Sequence, residues 1–366
     1  MEDPRIDGTP DTVNEILYQS QIRHHVQILR LERSIARRVS NLLRDLDRDL
    51  EEQLARRIGA LSGNDRIALR DRSSFTTVRL QALRTTVANQ RRESERLLRE
   101  SVASELREVA DFEAESQVNL LRNALAGLSL DIVTPEASLL RSLVRSRPLQ
   151  GRLLRERTSA WSQDKRARVN QAIRLGIAAG EGIPAISRRI RAEHATKRIH
   201  ADSLARTATV SVASHAALET ARANPTIIRS VLWTSVLDHR ACPVCFELDG
   251  QTFPIESGPR PPAHINCRCA ITYVTPSFRE LGLDIDEVPE GLRASVNGQV
   301  PQSLTAEQWL RREPRAAVIE TLGPTRARLF LDGNLPIGRF VDRRGNNFTV
   351  DQIRQREAAL FERLGL

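Results

Sequence analysis

The chain contains no proline between Pro10 and Pro135, and glycine interrupts this stretch only at Gly59, Gly63 and Gly127. Proline costs the interior of a helix about 3 kcal/mol, and glycine costs it about 1 kcal/mol. A stretch of this length that is nearly free of both residues predicts long helices. The aromatic content of 4% also favours a helical architecture built on Leu, Ile, Val and Ala over a sandwich or an OB-type fold.

Two helices joined by a turn are predicted for this stretch. The first is predicted over 11–58, because its apolar residues step by three or four positions, at Ile35, Val39, Leu42, Leu46, Leu50, Leu54 and Ile58. The second is predicted over 65–126, after a turn at 59–64. Together they would form a helical hairpin. We expect it to act as an arm that mediates association, with His24 and His25 exposed to solvent.

A second helical block is predicted over 151–223, after a connector at 127–148. Beyond it the pattern changes to short segments rich in β-branched and aromatic residues, which predict strands at 227–235, 252–253 and 270–274. The stretch 276–301 is predicted to be rich in loops. The segment 303–366 begins with a sequence similar to a capping box and should form short helices.

The predicted fold is mainly α, with a small α+β module. A long N-terminal helical hairpin, assigned to a domain at 1–130, precedes a central domain at 131–275. That domain combines a helical block with a short-stranded module that carries the cysteines. The remainder, 276–366, is predicted to be a loop-rich and short helical segment for docking.

All four cysteines of the chain lie in the short-stranded module, in a C-x2-C…C-x-C pattern at Cys242, Cys245, Cys267 and Cys269. His264 stands just before the second pair. Structural zinc is held by four thiolate or imidazole ligands in a tetrahedron, so these five residues predict a structural zinc site. Five candidates for four positions leave the ligand set open. Reduced thiols, or a disulfide formed after release from the cell, are the alternatives.

Sequence motifs of the common enzyme classes are missing from the chain, which contains no P-loop, G-x-S-x-G, H-E-x-x-H or kinase motif. Asp238-His239 and His264-Ile265-Asn266 are similar to parts of a metal-dependent nuclease of the HNH type. That reaction needs a second catalytic histidine on a following helix, and no histidine follows His264. The sequence therefore predicts a protein that is not an enzyme.

The formal net charge is +9 and the pI is about 10.4. A basic chain of this size predicts a function that involves a polyanion. The acidic residues interspersed among the basic ones also fit ordinary solvated helix faces. No segment approaches the roughly 20 apolar residues of a membrane span, and the N-terminus has no features of a secretory signal. We therefore expect folding in the host cytoplasm, without a membrane anchor.

The cysteine-bearing stretch resembles the phage Mu F-like head morphogenesis family, the minor capsid proteins of tailed phages. The resemblance is carried by a pattern of tryptophan, acidic, cysteine, proline and glycine positions, namely Trp233, Asp238, Arg240, Cys242, Pro243, Cys245, Leu248, Asp249, Gly250, Pro261, Pro262, His264, Cys267, Arg268 and Cys269. Ala205-Arg206-Thr207 matches the family's usual A-R-T. Ala208 departs from the family pattern, which commonly has an acidic residue there.

The resemblance implies a component of the virion that is present in few copies inside the capsid, near the portal, and acts in head assembly or DNA delivery. The partners it implies are the portal protein and the major capsid or scaffold protein. The positive charge predicts packaged DNA as a further partner, bound without sequence preference. The apolar face of the hairpin predicts association with other copies of the chain. The rival predictions are a metal-dependent nuclease or toxin-like enzyme and a zinc-stabilised DNA-binding protein.

Overall fold

The structure, a computed structural model, describes residues 13–59, 78–125, 130–149, 151–179, 181, 185, 188–189, 198–276, 280, 292–342 and 345–366. It is mainly helical with a small antiparallel sheet, which confirms the predicted fold class. The two long N-terminal helices are α1, Val13–Gly59, and α2, Val78–Ala124. The predicted turn at 60–64 and the start of the second predicted helix lie outside the described residues.

Helices α1 and α2 run antiparallel, as the hairpin prediction requires. Gln21 bonds Gln117 near one end, and Gln53 bonds Gln90 near the other. The buried residues of α1 recur every three or four positions, which is the period of one helix face: Leu17, Gln21, His24, Ile28, Glu32, Ile35, Val39 and Leu46.

The chain divides into two compact units, each assembled from separate stretches of sequence. Unit 1 comprises Met1–Leu29, Ala110–Leu140 and Val210–Leu366, and unit 2 comprises Arg30–Val109 and Arg141–Thr209. Because α1 and α2 each contribute to both units, the units do not follow the order of the chain. The three domains assigned from the sequence stay a prediction.

Unit 2 is helical within its described residues. Besides parts of α1 and α2, it contains most of α3, Ala137–Ser146, and all of α4, Leu154–Ala178. It also contains the start of α5, Arg198–Ala223. Its buried apolar side chains include Ile35, Val39, Leu46, Val102, Leu106, Leu143, Val144 and Leu154.

Unit 1 contains a three-stranded antiparallel sheet of β1, Ser230–Thr234, β2, Thr252–Phe253, and β3, Ala270–Val274. The strand order is β2-β1-β3, so β1 is central. The bounds of β2 and β3 match the prediction. β1 begins three residues later than predicted, because the Asn224 carbonyl accepts the amides of Ile227 and Ile228 in a turn that follows α5.

Apolar residues of the sheet and of the helices of unit 1 form one core. It joins Leu17 of α1 and residues at the end of α2 and just after it to β1, β3 and the end of α5. Its members include Val118, Leu121, Leu125, Ala217, Leu218, Val231, Ile271 and Tyr273. The Tyr273 hydroxyl donates to the Ala217 carbonyl at 2.7 Å. The sheet is thereby fixed against α5 by both packing and a buried hydrogen bond.

The C-terminal part of unit 1 forms a second core. Strands β4, Leu292–Ser295, and β5, Gly298–Pro301, pair as a hairpin, so the prediction of loops over 276–301 is wrong for 292–301. Short helices follow: α7, Ala306–Arg312; α8, Arg315–Leu322; α9, Pro324–Leu331; a 3-10 helix, Ile337–Phe340; α10, Val350–Arg356; and α11, Ala358–Leu364.

Large apolar side chains of these helices pack against residues that flank the cysteines. Trp309, Phe330 and Phe340 are buried together with Leu237 and Phe246. A capping box is present near the start of the predicted segment, at Thr305 and Gln308. The Thr305 hydroxyl accepts the amide of Gln308. No helix in the described ranges is long and apolar enough to cross a membrane.

Candidate metal centre

The first two cysteines lie at the start of a short helix, α6, Pro243–Leu248. Cys242 is its N-cap in an extended conformation, and Pro243 fills the first helical position, where its missing amide costs nothing. Cys245 follows in the first turn. This spacing brings the two sulfurs to 3.6 Å from each other, on the same side of the turn.

The second pair and the histidine lie on the loop that leads into β3. Asn266 adopts a left-handed conformation, with φ of 60°, which turns the chain between His264 and Cys267. Nδ1 of His264 lies 2.8 Å from the Ile265 carbonyl and must carry the proton, because a carbonyl only accepts. Nε2 is therefore the nitrogen that can bind a metal, and it lies 3.1 Å from Cys245 Sγ.

All five predicted ligands come together around Cys245. Two groups of three have ligand atoms within 4.8 Å of one another, one of Cys242, Cys245 and His264 and one of Cys245, Cys267 and Cys269. Cys245 belongs to both groups and is the centre of the cluster. It is the residue that the two groups share.

Three distances in the cluster lie close to those between the ligands of a tetrahedral zinc ion. Zinc bonds of about 2.3 Å to sulfur and about 2.0 Å to nitrogen separate two sulfurs by about 3.8 Å and a sulfur and a nitrogen by about 3.6 Å. The sulfur pairs Cys242–Cys245 and Cys245–Cys267 measure 3.6 and 3.9 Å, and the His264 nitrogen lies 3.1 Å from sulfur. All four cysteines are free, and these separations exceed the roughly 2.05 Å of a disulfide.

Mutual hydrogen bonding and burial shift the pKa values of the four cysteines in opposite directions. The bond with the Cys245 thiol lowers the pKa of Cys242 to about 4 and also lowers that of Cys267. The same bonds raise the pKa of Cys245, and burial raises that of Cys269. Hydrogen bonds with Cys242 and Cys267 raise the pKa of His264 to about 11. A metal would displace the protons that remain.

A dry, closed environment surrounds the sulfurs. Cys245, Cys267 and Cys269 are buried, and they pack against the fully buried Trp233. Ser235 links the two halves of the cluster, because its hydroxyl donates to the Cys245 carbonyl at 2.7 Å and lies 3.4 Å from Cys269 Sγ. A site with buried ligands and a polar second layer is typical of structural rather than catalytic zinc.

A buried ion pair ties the cysteine module to β4. The Arg293 guanidinium donates to both Asp249 oxygens at 2.9 Å, and the two side chains are 4% and 0% exposed. The Asp249 carboxylate also accepts the amides of Ser235 and Ala306 at 2.7 Å. Asp249 belongs to the motif found in the sequence, whereas Arg293 was missed because it lies in the stretch predicted to be loops.

Asp238 and His239, the residues similar to a nuclease motif, take part in contacts within the fold. The Arg268 guanidinium donates to both oxygens of Asp238, at 2.5 and 2.7 Å. The pKa of Asp238 is lowered: burial opposes this shift, and the Arg268 hydrogen bonds and charge outweigh burial. The His239 ring stacks on Trp309 with the centroids 5.6 Å apart, and its Nε2 lies 3.8 Å from Glu313.

His24 and His25 are not exposed to solvent, so that prediction is wrong. His24 is 6% exposed, and its Nε2 lies 2.6 Å from the Glu113 carboxylate of α2. Nε2 of His25 donates to the Arg268 carbonyl, between the two cysteines of the second pair, at 2.7 Å. The signal that could have found His24 is the apolar stripe of α1, which reaches it when extended toward the N-terminus in steps of three and four.

Helix α1 also covers the outer edge of the sheet. Gln21 lies one turn before His25, and its side-chain oxygen accepts the amide of Tyr273 in β3 at 3.0 Å. β3 is an edge strand, and an uncovered edge can pair with another chain. Gln21 and His25 thus satisfy backbone groups on and beside that edge, which sequence spacing alone could not reveal.

A family model described as "Phage Mu protein F like protein" matches residues 167–272, the stretch that ends within β3 and contains the complete cysteine cluster. The resemblance based on residues 233–269 is therefore confirmed. No curated protein and no solved structure matches the chain.

Proposed function

Because residues 167–272 belong to the phage Mu F-like family, we propose that this chain is a minor capsid protein in the head morphogenesis of a tailed phage or prophage. The observation that carries the proposal is that the matched segment includes the whole cysteine cluster. The specific role is to act near the portal, inside the head, in assembly or in delivery of DNA. The protein is then located in the capsid interior, after folding in the host cytoplasm.

The cysteine cluster serves this function as a structural zinc site. The five candidate ligands are Cys242, Cys245, His264, Cys267 and Cys269. Zinc bound there supplies folding free energy, since the ligands of a structural site come together only in the folded state. Zinc bonds from both loops would hold α6 and β3 in register.

The same contacts support a function that is not enzymatic. Asp238 is paired with Arg268, and His239 is stacked on Trp309. A nuclease would need both side chains directed at a metal-bound water or a phosphate. Their engagement inside the fold supports a structural role for these two residues over a catalytic one.

The proposed partners are the portal protein, the major capsid or scaffold protein, packaged DNA and further copies of this chain. To test them, tagged protein is produced together with the portal and major capsid proteins of the same genome. Heads are then separated by density gradient. The chain should sediment with heads when the portal protein is present and stay at the top of the gradient when it is omitted.

Two outcomes would contradict this function. The first is a chain that never sediments with heads under conditions in which heads form. The second is cleavage of plasmid DNA by the purified protein in Mg²⁺, Mn²⁺ or Zn²⁺, provided that Asp238→Ala and His239→Ala abolish it. The second result would assign the nuclease activity instead.

A further inference from the structure

The charge of the chain is divided unequally between its two compact units. Unit 2 contains 34 arginines and lysines and 18 aspartates and glutamates, a net charge of +16. Unit 1 contains 21 and 28, a net charge of −7. The total of +9 is therefore the sum of a strongly basic unit 2 and an acidic unit 1. The cysteine cluster lies in the acidic unit 1.

The positive charge of unit 2 is concentrated in 141–174. This segment holds ten arginines and lysines and two acidic residues, so it has a net charge of +8. It covers most of α3, the turn after it, and most of α4. Interspersed acidic residues, which neutralise the other long helices, are nearly missing here.

The turn between α3 and α4 is fixed by hydrogen bonds. Leu149 and Arg152 exchange backbone hydrogen bonds at 2.7 and 3.3 Å. The Arg157 side chain donates from α4 to the Leu149 carbonyl at 2.8 Å. Burial and the charge of Arg152 lower the pKa of Arg157. Like charges held near each other on a rigid turn favour a bound anion.

Arg141 and Arg145 of α3, Arg152 of the turn and Arg155 of α4 are exposed, and we call these four the α3–α4 arginines. Arg141 and Arg145 lie four residues apart, on the same face of α3. Within the part of the chain that the structure describes, no carboxylate pairs with any of the four. Several exposed arginines of the long helices do pair with a nearby Glu or Asp, as Arg96 does with Glu93 and Glu100.

We propose that the α3–α4 arginines form the surface that binds the phosphate backbone of duplex DNA. Guanidinium groups bind phosphate in bidentate geometry and stay charged at any physiological pH. Residues 141–157 contain no aromatic side chain, so the surface cannot stack unpaired bases. Backbone contact of this kind favours duplex over single strands and shows no sequence preference. The choice of DNA as the polyanion rests on the proposed function.

An acidic protein surface is the competing partner, and a binding experiment on the full chain distinguishes the two. Fluorescence anisotropy is measured with a labelled 30-base-pair duplex of mixed sequence, between 50 and 300 mM NaCl. The test variant replaces the α3–α4 arginines by glutamine, which preserves helix propensity. The control variant makes the same change in charge on unit 1, at the exposed Arg229, Arg240, Arg312 and Arg363.

The parent should bind the duplex with an affinity that falls steeply as salt rises. In the test variant the slope of log K against log salt should fall by about 3–4, roughly 0.9 for each lost phosphate contact, and the affinity at 150 mM should fall at least about tenfold. The control variant should stay within about twofold of the parent. Circular dichroism should show the same helix content in all three proteins.

Three results would contradict the proposed DNA-binding surface. They are no binding of the duplex by the parent, an unchanged slope of log K against log salt in the test variant, or an equal loss of affinity in the control variant. Sedimentation of the test variant with heads separates this proposal from the proposed function. A variant that loses DNA binding and still enters heads supports both. If the test variant binds DNA like the parent, the proposed DNA-binding surface is refuted, whether or not the parent sediments with heads.

Discussion

Replacement of Arg293 by methionine tests whether the buried pair with Asp249 holds the cysteine module to the C-terminal helices. The guanidinium makes three short hydrogen bonds, two to Asp249 at 2.9 Å and one to the Ser235 carbonyl at 2.7 Å. Methionine leaves the carboxylate buried with only two backbone amides as donors. Breaking a buried pair in this way costs about 3–5 kcal/mol, which lowers Tm by about 6–20 °C for a unit of this size.

The assay is unfolding in urea followed by tryptophan fluorescence, because Trp233 and Trp309 are both buried in unit 1. The matched control is Arg315→Met. Arg315 forms a bidentate pair with Asp332 in the same way, but both side chains are exposed, at 52% and 36%. Water screens such a pair, so this variant should unfold at nearly the urea concentration of the parent.

A double variant, Asp249→Asn with Arg293→Met, should lose less stability than the sum of the two single variants, because each single change leaves the other member of the pair buried without its partner. The reasoning would be refuted if Arg293→Met destabilised the protein no more than Arg315→Met does. It would also be refuted if the double variant lost the sum of the two single effects.

Three further perturbations have defined outcomes. Cys245→Ser should release the metal and unfold the cysteine module; metal retained at the parental stoichiometry would contradict this. Glu113 raises the pKa of His24 although burial opposes it, so the pair stabilises fully below the ordinary His pKa of about 6.5 and the effect is lost as pH rises through the raised value. His24→Gln should therefore cost more stability at pH 6 than at pH 9, and an equal cost would refute the pairing. Deletion of residues 1–128 should destabilise the sheet, because it removes Gln21 and His25; an unchanged urea midpoint for the tryptophan signal would contradict this.

Features set by local sequence were predicted well. The first helix was predicted over 11–58 and found at Val13–Gly59, because proline is missing and the apolar period is regular. β3 was predicted with its observed bounds, because four residues of strand-forming type, 271–274, follow the second cysteine pair and Ala270. The cysteines and His264 were brought together as the spacing implied.

Features that depend on distant contacts were missed. Arg293 and Asp249 lie 44 positions apart, and nothing local marks Arg293 as buried. β4 and β5 are four-residue strands of mixed composition, too short for a period to be visible. His24 is polar, so an apolar pattern alone assigned it to solvent, although its position on the face of α1 places it in the core.

The concentration of charge in unit 2 also could not be found by scanning for runs of like charge. Its basic residues come from two separate stretches, Arg30–Val109 and Arg141–Thr209. Only the division into compact units shows which charges belong together. The net charge of +9 is the sum over two units of opposite sign, so by itself it does not show this division.

The central claim is that Cys242, Cys245, His264, Cys267 and Cys269 provide one structural zinc site in a phage Mu F-like head protein. Its most direct test is metal analysis of the full chain, purified under reducing conditions without chelator, combined with thiol titration. The account predicts one zinc per chain and thiols that react only after a chelator is added. A folded protein that contains no zinc and whose four thiols titrate freely would contradict it.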